Sequence, residues 1–303
     1  MSAPTSPSTT ARPSPFAMWL AAARPKTLPA AAVPVVVGSA IAWSLGGFRL
    51  LPAIAALVGG LLIQIATNFA NDVFDFQKGA DNEERTGPTR AVAAGWITPR
   101  TMFVAMWFTF GLAFLIGLYL ASVSGWAILI VGLISILAGI AYTGGPYPLG
   151  YNGLGDVAVM IFFGFVAVCG TVWVQMLEIP ALAWWLSVPV GALSTAILVV
   201  NNVRDRITDT AAGKRTLVVR FGRGVGVVEY VLLFVASYAV VVLVAVQSAS
   251  PWLALPLLTL PGAMVLVRRV TTLEGQALNP VLAQTAMLLL GFGTLLSMGL
   301  IVG

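Results

Sequence analysis

Seven of the eleven acidic residues of this 303-residue chain crowd into two short stretches. The first, NFANDVFDFQKGAD, holds Asn68, Asp72, Asp75 and Asp81, with Glu83 and Glu84 just beyond; the second, NNVRDRITD, holds Asn201, Asp205 and Asp209. The spacings are Asn68-x3-Asp72-x2-Asp75 and Asn201-x3-Asp205-x3-Asp209. Offsets of three and four put side chains on one helix face, so each stretch presents an Asn and two carboxylates as one stripe. A lone Asp or Asn at a helix end is ordinarily a cap. Two matched stripes 133 residues apart in an acid-poor chain point to a site instead. Four clustered carboxylates repel one another and need cations. An oxygen-only donor set suits Mg²⁺, Mn²⁺ or Ca²⁺ over zinc, and Mg²⁺ commonly joins one or two carboxylates to substrate phosphate. Lys78, Arg85, Arg90, Arg204, Lys214 and Arg215 flank the acids, as they should if an anion such as a diphosphate rests on the metal. Two Mg²⁺ ions among four carboxylates and a diphosphate leave a charge of about −3 for those basic groups to neutralise. The Glu83-Glu84-Arg85 run reads as a solvated loop face. The chain has no His, which removes imidazole catalysis and His-ligated zinc. Its one Cys, Cys169, removes disulfides and reads as a small apolar filler.

The elements that must carry these stripes are set by composition. With 59% hydrophobic and 9% charged residues, the chain cannot coat a water-soluble globule. A membrane-spanning helix needs roughly 20 apolar residues, and the charge-free gaps supply nine of them. Lys26 to Arg49 and Arg49 to Asp72 leave 22 residues each; Arg100 to Asp156 leaves 55, two spans with a turn at residues 122–125. Asp156 to Glu178 leaves 21 and Glu178 to Arg204 leaves 25. Glu229 to Arg268 leaves 38, two shorter spans broken near residues 248–251, and Glu274 to the end leaves 29. Pro256 and Pro261 should kink the eighth span. With the N-terminus cytoplasmic, 15 of the 16 Lys and Arg residues fall on the inner side and only Arg49 on the outer. That split satisfies the positive-inside rule and places the C-terminus outside. Residues 1–15, rich in Ser, Thr and Pro, read as a disordered tail before one transmembrane domain over 16–303. The two long inner loops, about 71–100 and 203–226, are the candidate functional loops. The matched stripes, four spans apart and at one membrane depth, imply a parallel internal repeat of spans one to four against five to eight. The expected fold is therefore an all-α polytopic membrane bundle of about nine helices with a four-helix pseudo-repeat. The net charge of +5 suits anionic lipid or an anionic substrate, and no basic face suggests nucleic acid. Glu178, Glu229 and Glu274 read as interfacial boundary residues, the Trp and Tyr residues mostly as interface anchors, and the glycines within spans as sites of close packing.

These residues also carry a family resemblance over essentially the whole chain after about residue 20. The paired acidic stretches on a nine-helix chain resemble the UbiA superfamily of intramembrane aromatic prenyltransferases. The strings ARPKTLPAAAVPVVVGSA (23–40), NFANDVFDFQKGADNEERTGPTR (68–90), YTGGPYPLGYNGLGD (142–156) and NNVRDRITDTAAGKRTLVVRFG (201–222) are most similar to the menaquinone branch, which prenylates 1,4-dihydroxy-2-naphthoate. Two departures stand out. Many members space the first acids D-x2-D-x3-D, whereas this chain reads Asp72-x2-Asp75-x5-Asp81. Many also carry a Lys shortly after the central-loop Tyr; here Pro148, Leu149 and Gly150 follow Tyr147, which passes that role to Lys26 or Arg24.

The resemblance implies Mg²⁺, as two ions, on Asp72, Asp75, Asp205 and Asp209, holding the diphosphate of a polyprenyl or phytyl donor. It implies donor contacts from Asn68, Asn201, Lys26, Arg24, Lys78, Arg204 and Lys214. Tyr142, Tyr147, Asn152 and Asp156 fall on the acceptor side, with Asp156 the proton acceptor and Asp72, Asp205 and Asp156 the catalytic acids. The implied reaction moves the prenyl group to 1,4-dihydroxy-2-naphthoate with loss of CO₂ and diphosphate, in a cell (inner) membrane among membrane lipid. Two rivals are a secondary transporter, whose polar sites lie near mid-membrane, and the same chemistry on another acceptor such as 4-hydroxybenzoate, homogentisate, a porphyrin or haem.

Overall fold

The computed structural model describes residues 13–81 and 86–303. The first twelve residues of the expected tail and the Glu83-Glu84-Arg85 run lie outside the described residues. All regular structure among the described residues is helical. Helix α1 (Pro15–Ala23) starts on a Ser14 cap, and α2 spans Leu28–Ser44, α3 Leu50–Gln77, α4 Pro99–Ser124 and α5 Trp126–Ala141. Helix α6 covers Gly155–Met176 and α7 Ala181–Arg204. Two short helices follow, α8 (Arg206–Ala211) and α9 (Leu217–Phe221), and then α10 (Arg223–Gln247), α11 (Pro251–Thr272) and α12 (Asn279–Val302). Among the described residues, eight stretches are long and apolar enough to cross a membrane, and the sixteen-residue apolar α5 brings the set to the nine expected.

Local chemistry sets the boundaries. Helix α4 opens with the Thr98 hydroxyl accepting the Thr101 amide and Pro99 in its first turn, and it closes at Gly125 with φ 89°, inside the turn expected at 122–125. Two interior prolines, Pro34 in α2 and Pro189 in α7, are accommodated because neighbouring helices cover the freed backbone. The eighth span does more than kink. Its first half, which carries Pro251 and Pro256, is a 3-10 helix over Pro251–Thr259 that becomes α-helical at Leu260. Span α6 holds a π-helical segment over Met160–Val166. That segment presses on α7 through two glycines: a Cβ on Gly164 would stand 2.9 Å from the Gly191 Cα.

Packing follows the pseudo-repeat. Helix α3 packs on α4 in the first half, and α7 on α10 in the second. One apolar core, with Val33, Val37, Leu186, Leu193, Tyr230, Leu289 and Phe292, joins α2, α6, α7, α10, α11 and α12. A second, with Met18, Phe69, Val73, Met102, Met106 and Phe110, joins α1, α3 and α4. Helix α3 has 28 residues, a length of about 42 Å, longer than the ~30 Å hydrocarbon core. Its C-terminal turns can thus stand at the membrane edge. There the ends of the helices are tied together: Lys78 donates to the Thr143 carbonyl at 2.6 Å, Asn279 to the Thr86 carbonyl at 3.1 Å, and Arg223 to the Leu273 carbonyl at 3.0 Å. All the acids of the two stripes are gathered at this one end.

Candidate active site at the acidic end of the bundle

Helix α3 turns a single polar stripe inward: Gln64, Thr67, Asn68, Asn71 and Asp75 line a cavity of ≈ 400 Å³. From α7 and α8 the opposing stripe is Ser194, Leu198, Asn201, Asn202, Asp205 and Asp209. Both follow offsets of three and four. The equivalent pairs are therefore Asn71-x3-Asp75 and Asn201-x3-Asp205, 130 residues apart. The expected register of 133 is off by three residues, because α3 is rotated to present Asn71 and Asp75 rather than Asp72.

Asp72 is consequently turned toward the loop after α3. Its two carboxylate oxygens accept the amides of Ala91 and Val92 at 3.1 and 3.2 Å, and it is not among the cavity-lining residues. Those amides belong to the turn that carries Arg90. Asp75 is buried in the wall and accepts the Tyr151 hydroxyl at 2.8 Å on one oxygen and the Arg90 guanidinium at 2.9 Å on the other. Arg90 is 8% exposed and stands 3.5 Å from Asp81. Among the described residues its Nε and Nη1 have no hydrogen-bond partner, and the side chain lines the cavity. Asp205 is gripped by Arg204 at 2.8 and 2.6 Å and accepts the Thr86 hydroxyl. Arg204 also donates to Asn201 at 2.6 Å and Asn279 at 2.9 Å, so it braces the wall from behind. Asp209 pairs with Lys214 at 2.9 Å. Burial raises the Asp209 carboxyl above the ordinary carboxylate range, with Asp205 and Asp75 adding to the rise and Lys214 opposing it.

The remaining expected residues separate into two groups. Asn68, Asn201, Arg24, Lys214 and Tyr142 all line the cavity. Asn68 donates to the Ala23 carbonyl at 2.9 Å and the Thr27 hydroxyl at 3.3 Å, which docks the start of α2 on α3. Burial, then Asp156, pushes the Tyr142 hydroxyl far above its ordinary value, which keeps it a donor. Lys26 and Tyr147 are exposed and away from the cavity, and Asn152 closes its own turn on the Pro148 carbonyl at 2.8 Å. Asp156, buried at the start of α6, stands behind the cavity-lining Asn202, which donates to it at 3.3 Å. Sequence reasoning missed Asn71, Arg90 as a site residue, Tyr151, Thr86, Asn202 and Asn279. The signal for Asn71 was present in the repeated Asn-x3-Asp.

Beyond the polar end the cavity wall is apolar. On α3 the stripe continues through Ile63, Gly60, Gly59 and Ala56, and the far end reaches Leu120, Ile128 and Val174. From Asp75 to Ala56 along α3 is about 28 Å, nearly the hydrocarbon thickness.

Among the described residues no three acids converge closely enough to hold an ion by themselves. The donor chemistry still fits a hard divalent cation shared with an anion. Asp75, Asp205 and Asp209 are each paired with a cation, in Arg90, Arg204 and Lys214. A diphosphate entering so balanced a site brings charge that Mg²⁺ would offset.

A bundle with two acidic helix ends facing across a cavity that opens into an apolar channel defines an intramembrane enzyme acting on an anionic lipid. The profile of the UbiA prenyltransferase family matches residues 31–297, and the chain belongs to that family. It is 37% identical over 301 residues to the 1,4-dihydroxy-2-naphthoate octaprenyltransferase of Haemophilus influenzae, covering 94% of this chain and 96% of that protein. Identity to the enzyme of that name from Mycobacterium tuberculosis is 39%, over 91% of this chain and 94% of the relative. Identity to the 2-carboxy-1,4-naphthoquinone phytyltransferase of Synechocystis is 31%, over 89% and 87%. In fold the chain is similar to a UbiA homolog from Archaeoglobus fulgidus solved with GPP and Mg²⁺, with TM-score 0.65, 15% identity, and coverage of 92% of this chain and 99% of that one.

Proposed function

We propose that the protein transfers a polyprenyl or phytyl group from its diphosphate to 1,4-dihydroxy-2-naphthoate. The observation that carries this reading is the pair of Asn-x3-Asp stripes, Asn71/Asp75 and Asn201/Asp205, facing one cavity that continues as an apolar channel. Naphthoate prenyltransferase and phytyltransferase relatives at 31–39% identity support the acceptor.

Asp75, Asp205 and Asp209 would hold Mg²⁺, as two ions, with Asn71 and Asn201 beside them; Asp72 anchors the Arg90 turn. When bound, Mg²⁺ supplies electrostatic stabilisation of the departing diphosphate. Arg90, whose Nη2 holds Asp75 and whose Nε faces Asp81, offers its Nη1 to a phosphate oxygen as a single charge-assisted donor. Lys214 and Arg24, also on the wall, add positive charge. Arg24 thereby takes the role that the sequence left between it and Lys26. Apolar α3, α4, α5 and α6 surround the tail and keep water from the allylic cation.

The balance is simple. The C1–O bond breaks with its electron pair going to diphosphate. The ring carbon bearing the carboxylate bonds C1, and the ring regains aromaticity when CO₂ leaves with the C–C bonding pair returned to the ring. No proton is lost overall. A base is therefore needed only to raise the electron density of the ring by taking a hydroxyl proton; the Asp156 carboxylate, behind Asn202, is suited to accept it, while Tyr142 stays protonated and donates a hydrogen bond. A transporter reading finds no support in the acids, which lie at one end of the bundle and not at its middle.

The Lys and Arg excess at the acidic end supports a cytoplasmic position for that end, with the C-terminus outside. The reading is tested by mass spectrometry of the lipid product formed from octaprenyl or phytyl diphosphate with Mg²⁺ and a panel of aromatic acceptors. Product at the mass of prenylated dihydroxynaphthoate less CO₂ supports it; product only with 4-hydroxybenzoate or homogentisate overturns the acceptor.

A further inference from the structure

Tyr151 sits where the two halves of the bundle meet, and the chemistry above does not call on it. Its hydroxyl donates to Asp75 at 2.8 Å. The ammonium of Lys78, from the end of α3, lies 4.6 Å from its ring centroid, and that of Lys214, from the loop after α8, lies 5.1 Å from it. Its carbonyl accepts the Arg215 amide at 2.7 Å. Two residues on, Gly153 adopts φ +79°, and a Cβ there would stand 2.8 Å from the Arg215 carbonyl, so only glycine lets the two loops come this close. One ring thus gathers a carboxylate from the first half and a lysine from each half; Tyr151, Asp75 and Lys214 line the cavity, and Lys78 stands on the ring behind them.

Two ammonium groups near one another repel. The negative face of an aromatic ring offsets that repulsion while leaving the N–H donors available to another partner. Lys78 spends one donor on the Thr143 carbonyl and Lys214 one on Asp209. We propose that Tyr151 is a positioning residue with two separable roles: its hydroxyl orients Asp75 toward the metal, and its ring holds the cavity-lining Lys214, with Lys78 beside it, in place for the diphosphate. This rests on the metal–diphosphate reading given above.

The test compares the full chain with Y151F and Y151L in lipid nanodiscs, measuring Mg²⁺ half-saturation, the KM for prenyl diphosphate at saturating Mg²⁺, and inhibition by inorganic pyrophosphate. Y151F keeps the ring and loses the hydroxyl. It should raise the Mg²⁺ requirement about tenfold and leave the KM for prenyl diphosphate within about twofold. Y151L loses both, and should add a rise of about fivefold or more in that KM, with weaker pyrophosphate inhibition. A normal Mg²⁺ requirement in Y151F overturns the hydroxyl role. Equal behaviour of the two variants overturns the ring role. A uniform loss of kcat with a lowered melting temperature in both, and neither KM nor Mg²⁺ requirement moved, reduces Tyr151 to a structural prop and overturns the proposal. D205N, which leaves Tyr151 untouched, is the control: Mg²⁺-dependent turnover in D205N defeats the metal–diphosphate reading itself, whereas a dead D205N beside normal Tyr151 variants defeats only the role of Tyr151.

Discussion

The hydroxyl of Thr86 donates to the carboxylate of Asp205, across 119 positions of sequence. Thr86 belongs to the loop after α3 and Asp205 to the end of α7, so this bond closes the first half of the bundle over the acid of the second. Asn279 at the start of α12 secures the same loop by donating to the Thr86 carbonyl. The loop is held by partners from three separate regions of the chain, which makes its anchoring a sensitive point for catalysis.

Thr86→Val keeps the shape and removes the donor to a charged acceptor. A loss of this kind amounts to about 1.5–3 kcal/mol, so kcat/KM for the prenyl diphosphate should fall by about tenfold or more. Thr86→Ser should retain most of the activity. Equal activity in Val and Ser variants would show that the bond does not position Asp205.

Asp72 and Asp75 are predicted to behave differently although they are three positions apart. Asp75→Asn and Asp205→Asn should lose more than about 99% of turnover with melting temperatures close to that of the parent. Asp72→Asn weakens the carboxylate's hold on the Ala91 and Val92 amides, and should lower the melting temperature while the remaining folded enzyme keeps its Mg²⁺ requirement. Thermal melts and Mg²⁺ titrations on the three variants decide the matter; a raised Mg²⁺ requirement in Asp72→Asn at normal stability would restore it to the metal site.

Channel length should be adjustable at Gly132. This residue of α5 lines the cavity, and a Cβ built on it meets nothing within 4 Å. Gly132→Phe would project a ring into the tail channel. Products from a mixture of C10, C20 and C40 donors, separated by mass, should shift toward the shorter chains, with the KM for the shortest little altered.

Lys78 gives the reaction an alkaline limit. Burial lowers its pKa from the ordinary lysine value, Lys214 lowers it further and Asp75 opposes the shift. A cation with a depressed pKa loses its charge at lower pH than free lysine does. The KM for prenyl diphosphate should therefore rise as pH climbs toward the usual lysine value of ~10.4, and should be lower and flat below that limb. Lys78→Arg, which stays charged, should flatten the profile. An unchanged limb in that variant would assign it elsewhere.

Membrane orientation can be read with single cysteines. Cys169 is buried, so a Cys169→Ser background carrying one new cysteine reports cleanly. A cysteine at Gly213, in the acidic loops, should be shielded from an impermeant maleimide added to intact cells, and one at Gly46, between α2 and α3, should react. The reverse labelling would invert the topology.

The nine apolar spans, their turns and the concentration of acids at one end were legible in the sequence. Each depends on a run of residues and its immediate neighbours: a charge-free stretch long enough to cross, or a Gly125 at a turn. The rotation of each helix about its axis was not legible. Asn68-Asp72-Asp75 and Asn68-Asn71-Asp75 are both continuous stripes by spacing, separated by one residue and about 100° of turn, and both are polar. Only the packing of Phe69 and Val73 into the core shared with α4 selects between them, turning Asn71 and Asp75 to the cavity and Asp72 to the loop. Nor does any local pattern link Thr86 to Asp205, or Tyr151 to Asp75. Those contacts join residues 119 and 76 positions apart, and they exist only once the two halves have packed.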